Sequence, residues 1–221
     1  MVTKNKKLQV FLNGKKSLSL IDYPILLSLF LEETKRWGTF KKRSYWQSVL
    51  HHIFQLYLLT DNALALEKLF GIHKLNESLI KSGVVLHDCG ERPKFKDKFD
   101  TPDIEKVGNN KKRKKILERK RFYRVISKIS LPEPYKRTVI QSLKKAYELQ
   151  YCKTINGMYF RGLEILAYLQ HGEFEIKTGN NEYKEILRRS HKTMLKYCKK
   201  FKSFEILYEE IKLKIEKILK N

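Results

Sequence analysis

The residues best suited to chemistry lie in Ser82-Gly83-Val84-Val85-Leu86-His87-Asp88-Cys89-Gly90-Glu91. A short apolar run there delivers an adjacent His-Asp pair, and a carboxylate follows four residues after the histidine. A helix over Val84 to Glu91 would put His87 and Glu91 on one face at i, i+4 spacing, with Asp88 about 100° round the axis. Imidazole and carboxylate together suit a borderline divalent cation, and a second carboxylate nearby suits a base for an activated water. The same residues also fit a plain helix C-terminus, with His87 beside the last carbonyls and Gly90 ending the helix. What surrounds the pair decides between these readings.

Helical patterning dominates the chain that must position it. Pro24 to Arg36 carries apolar residues at helical spacing behind an N1 proline. Ser44 fits an N-cap for a helix running to about Leu59. Ala63 to Phe70 and Asn76 to Cys89 are two more helices, separated by Gly71. In the second of these four helices, Val49, His52, Leu56 and Leu59 follow 3-4-3 spacing, so His52 falls on the buried stripe while His51 shares a face with Gln55. A histidine on such a stripe is commonly a core residue with a satisfied ring. Here it lies 35 residues before the His-Asp pair, and facing helices of a bundle can pool ligands for one ion.

Before these helices, Leu8 to Leu20 alternates apolar and polar residues on either side of Asn13-Gly14, the signature of a small β-hairpin. From Arg92 to Lys115 the periodicity collapses into a polar, basic insert with two prolines. Helical patterning resumes over Ile116 to Ile129, Tyr135 to Tyr151, Tyr159 to Gln170 and Asn180 to Phe201. Phe204, Leu207, Ile211, Ile215 and Ile218 then make the apolar stripe of a C-terminal amphipathic helix, fit to pack on the domain or on a partner subunit. The expected architecture is all-α: a helical bundle over residues 23–201 with the insert at 92–115, a hairpin extension at 1–22 and the amphipathic helix at 202–221.

The totals agree with a globular chain. At 221 residues it can bury roughly 70% of its unfolded surface without disulfide or structural metal. Three scattered cysteines, Cys89, Cys152 and Cys198, with no CxxC pair, suit a reducing compartment. The basic start Met1 to Lys7 has no apolar run directly after it, and Pro24 to Leu31 is too short to span a bilayer, so a cytoplasmic location is expected. A net charge of +23 points to an anionic ligand: a nucleotide, or a nucleic acid bound through the basic surface. Abundant lysine on a solvated surface gives the same total.

These residues together resemble the HD-domain metal-dependent phosphohydrolases, in particular their compact 5'-deoxynucleotidase branch. The resemblance spans roughly Thr34 to Thr193. His52 matches the family's first ligand, His87 and Asp88 the doublet, and Glu91 the glutamate after it. Arg36-Trp37 looks like the Arg-Trp that contacts nucleotide, and Gly179-Asn180-Asn181-Glu182-Tyr183 is similar to a stretch opening a late helix in that branch. Two positions depart. Where the family closes its site with an aspartate, Phe160 to Leu166 offers Glu164, either a fourth ligand one methylene longer or a surface carboxylate paired with Arg161 or the partner helix, which would leave the metal site incomplete. Where the family guards the sugar with an aspartate, this chain has Lys96 with Asp97 adjacent. Glu148 falls where the branch often has an acid, though a helix-surface glutamate reads the same.

The resemblance implies an enzyme that releases phosphate or triphosphate from deoxynucleotides. One divalent ion (Mn, Co, Mg, Fe or Zn) would sit on His52, His87, Asp88 and Glu164, with Glu91 as the catalytic base. Arg36 and Trp37 would hold substrate, and Lys94 and Lys96 would neutralise further phosphates. A degenerate scaffold binding nucleic acid through Lys111 to Lys115 and Arg119 to Arg124, or a phosphodiesterase, are the competing readings. A homodimer is compatible with all three.

Overall fold

The computed structural model describes residues 32, 48–90 and 111–220. Every regular element among them is helical: α1 (Val49–Phe70), α2 (Glu77–Leu86), α3 (Lys111–Ser127), α4 (Tyr135–Glu148), α5 (Ile155–Lys177), α6 (Lys184–Cys198) and α7 (Lys202–Lys220), with short 3₁₀ turns at Leu149–Tyr151 and Asn181–Tyr183. The expected hairpin at 1–22, Ser44, and the helix over Pro24 to Arg36 apart from the helical Glu32 lie outside the described residues. Among the described residues, no helix is long and apolar enough to cross a membrane.

The chain divides into two compact units. The described part of the larger unit is residue 32 with 48–88 and 145–220, and the bundle of α1, α2, α5, α6 and α7 lies wholly within it. There α1 packs on α2, α5 and α7, while α5 also packs on α2, α6 and α7. Leu56, Ala63, Ile80, Val84, Leu163, Leu166, Met194 and Phe204 belong to its buried core. The smaller unit holds α3 and α4 as far as Lys144; Lys144 Nζ lies 5.0 Å over the ring of Tyr123, so the two helices touch.

Local chemistry fixes the helix ends. Ser48, in extended backbone, accepts the His51 amide at 3.1 Å and starts α1. The helix then runs unbroken to Phe70, where a break between Leu59 and Ala63 was expected. The polar residues at the expected break are absorbed: Thr60 donates to the Leu56 carbonyl at 2.6 Å, and Asp61 pairs with Lys81 of α2 at 2.7 Å. Asn76 caps α2 through the Leu79 amide at 2.9 Å. Helix α5 starts at Ile155, four residues earlier than expected, with Thr154 accepting the Gly157 amide at 3.3 Å. Gly157 is there for close approach, since a Cβ would overlap the Cys152 carbonyl oxygen. Helix α3 is already helical at Lys111, before the expected start at Ile116, because lysine and arginine propagate a helix well.

One glycine yields a measurable consequence. Gly162 of α5 faces Phe204, whose ring is fully buried and stacked on Tyr159 at 4.7 Å, with Phe201 edge-on at 5.4 Å. A Cβ on residue 162 would overlap the Phe204 ring, which has nowhere to retreat. Gly162→Ala gains about 1 kcal/mol in helix propensity and loses about 1–3 kcal/mol or more to overpacking. We expect a net destabilisation, read as a lower urea midpoint.

Candidate metal centre

Three helices of the larger unit bring the chemically interesting residues together. The stripe read from the sequence is real: Val49, His52, Leu56 and Leu59 are all buried, and His51 is exposed. Helix α2 ends at Leu86, so His87 and Asp88 stand just beyond it, His87 as the capping residue with its amide bonded to the Gly83 carbonyl at 2.9 Å. The helix expected over Asn76 to Cys89 therefore stops three residues early, and residues 87–90 are in turn conformation. Glu164 comes from the middle of α5.

The His87 ring is held by its Nδ1, 2.8 Å from the Val84 carbonyl. A carbonyl only accepts, so Nδ1 carries the proton and the Nε2 lone pair faces the site. Asp88 Oδ2 lies 3.1 Å from that nitrogen, and Glu164 Oε1 lies 3.9 Å from it. His52 packs edge-on to His87 with ring centroids 5.4 Å apart. One donor atom each from His52, His87 and Asp88 lies within 4.8 Å of the others. Donors about 2.0–2.2 Å from a shared cation stand roughly 3–4.4 Å apart, so the spread is close to that of a ligand set. Nε2 of His52 is buried with no hydrogen-bond partner among the described residues, an arrangement that costs about 1–3 kcal/mol unless something satisfies it. His52, His87 and Asp88 can therefore hold a divalent metal ion.

The cluster has a closed side and an open one. The His87 side chain is 1% exposed, whereas Asp88 and Glu164 reach 14% and 20%, so solvent meets the site at its carboxylates. Phe160 packs edge-on to His87 at 5.4 Å, and Tyr168 stacks on His52 at 6.5 Å. Arg161 does not cover Glu164 as the alternative reading had it. Its guanidinium donates to the Cys152 carbonyl at 2.6 Å and to that of Gln150 at 3.5 Å.

Gln150 was not legible beforehand. Its amide donates to the His87 carbonyl at 2.9 Å and to the Tyr147 carbonyl at 3.2 Å, tying the His-Asp turn to the segment between α4 and α5. No periodicity marks such a residue. Tyr168 could have been found, being four residues after Glu164 on the same face of α5. The Gly179-Asn180-Asn181-Glu182-Tyr183 stretch closes α5: Gly179 has φ 95°, and the Asn180 side chain donates to the buried Glu175 at 3.0 Å. Glu148 ends α4, where its backbone carbonyl accepts from Cys152 Sγ at 3.3 Å. Glu91, Arg36, Trp37, Lys94 and Lys96 lie outside the described residues.

The fold is similar to that of a solved HD-domain phosphohydrolase. A crystal structure of an HD-domain phosphohydrolase from Listeria innocua superposes with a TM-score of 0.66 at 17% sequence identity, over 93% of this chain and 100% of that one. No family model matches the sequence. No curated protein matches it either.

Proposed function

We propose that this chain is a metal-dependent phosphohydrolase that releases phosphate or triphosphate from deoxynucleotides. The observation that carries the reading is the convergence of His52, His87 and Asp88 in one buried cluster, with Glu164 beside it. In this reading Glu164 completes a set of two neutral imidazoles and two carboxylates, a donor mix that suits Mn, Co, Fe, Zn or Mg. The cation supplies Lewis acidity toward a phosphoryl oxygen and acidifies water.

The chain's own residues do the rest. Glu91 takes the proton as water attacks phosphorus and the bond from phosphorus to the leaving oxygen breaks. Arg36 grips the phosphate as a planar fork, and Trp37 stacks on base or sugar. Lys94 and Lys96 offset charge on additional phosphates, which favours a triphosphate.

The test is phosphate and triphosphate release from deoxynucleoside mono- and triphosphates, with each of the five metals and after chelation. We expect turnover that chelation removes and metal restores. Cleavage of an internal phosphodiester with no release from mononucleotides would replace this reading by a phosphodiesterase. No turnover with any metal would end it.

A further inference from the structure

The positive charge of this protein is not spread evenly. Residues 111–144 carry thirteen lysines and arginines against two acids, Glu118 and Glu133, so nearly half of the net charge of +23 lies in 34 residues. Lysine-rich composition does not account for this, because five of the chain's eleven arginines (Arg113, Arg119, Arg121, Arg124 and Arg137) are in the same stretch. Other helices mix their signs. Helix α7 has five lysines and four glutamates, with Lys202–Glu205 and Lys212–Glu209 paired at 2.8 and 2.7 Å. On α6, Glu185 pairs with both Arg188 and Arg189. Helix α3 contains a single acid, Glu118, and that is buried. A stretch with so large an excess of one sign raises the local potential and attracts a polyanion.

The two helices present the charge together. Lys120 and Arg124 are exposed one turn apart on α3, Arg137 and Lys144 are exposed two turns apart on α4, and the Lys144 ammonium over Tyr123 joins the two rows. Tyr135, 66% exposed at the start of α4, adds a ring on which a base can stack. We propose that the α3–α4 pair binds the phosphate backbone of a nucleic acid, without reading its sequence. An anionic membrane fits less well: a helix lying in a bilayer surface needs an exposed apolar face, and on α3 Phe122 and Ile126 are buried. The inference does not depend on the proposed catalysis, which uses other residues.

Fluorescence anisotropy with a labelled 20-mer, single-stranded and duplex, tests it on the full chain. The dissociation constant should rise about 100-fold or more between 50 and 200 mM salt, as for a protein making about five phosphate contacts. Lys120→Glu/Arg124→Glu/Lys144→Glu should weaken binding at least about 10-fold and flatten the salt slope by about two to three units. The glutamine triple variant should do the same more mildly, should the reversed charges disturb folding. Lys199→Glu/Lys212→Glu/Lys214→Glu, equal in charge but carried by α7 and the end of α6, should change affinity less than about 3-fold. Equal losses in both variants would mean that net charge alone attracts the polymer, and would overturn the proposal. So would tighter binding to phosphatidylserine vesicles than to either oligonucleotide.

Discussion

Asp88→Asn should bind a divalent cation at least about 100-fold more weakly and release phosphate about 1,000-fold more slowly, while its metal-free form melts no lower than the parent. The first figure exceeds what loss of a supporting group around a metal ligand costs, about 10- to 100-fold at most. The second corresponds to about 4 kcal/mol of barrier. Stability should survive because Asp88 and Glu164 crowd one imidazole, at 3.1 and 3.9 Å from His87 Nε2. Two carboxylates so close repel each other when no cation lies between them, and asparagine removes that repulsion while keeping the shape. Calorimetric titration with Mn²⁺ beside a thermal melt reads both effects. Unchanged cation affinity in the variant would remove Asp88 from the site, whatever happened to activity.

Glu67→Ala should cost about 3 kcal/mol of folding free energy, seen as a melting temperature lower by about 6–12 °C. Glu67 is 2% exposed on α1, and its Oε2 accepts both the backbone amide and the hydroxyl of Ser203, at 3.0 and 2.8 Å. Ser203 is in the first turn of α7, so a carboxylate from another helix caps this one and meets the positive end of its dipole. The network continues inward. Because the Ser203 hydroxyl donates to Glu67, the Tyr159 phenol at 3.0 Å donates to Ser203. Burial, aided by the Glu67 charge, pushes the Tyr159 phenol well above its ordinary range and keeps it a donor. Truncating Glu67 strands a buried amide and hydroxyl, whereas Glu67→Gln keeps an acceptor and should cost about 1 kcal/mol. A melt in which alanine and glutamine are equally mild would show that water, not the carboxylate, satisfies the end of α7.

Half of the candidate site could be read directly from the chain. The 3-4-3 stripe located His52 because burial on a helix repeats with the helix's own period, and the His87-Asp88 doublet is adjacent in sequence. Glu164 came from a resemblance rather than from any pattern of its own. The helix boundaries failed where polar residues were read as breaks. Asp61 and Thr60 are accommodated by a partner lysine and a carbonyl one turn back, and the lysines at 111–115 are helical despite their charge. Glu67 and Gln150 were invisible because their partners lie 136 and 63 residues away and obey no periodicity. Long-range polar ties of this kind are set by the packed fold.

The Gln150 clamp on the His87 carbonyl has a consequence for how an ion would arrive. The tie is made entirely of protein groups, as is the Val84 grip on the imidazole, so the His87 donor is oriented by the fold itself. In small zinc domains the metal organises the polypeptide, and capture and folding are one event. Here the entropy of ordering is met when the bundle forms. Loading should therefore behave as simple ligand exchange: rapid, reversible, and accompanied by little change in helix content.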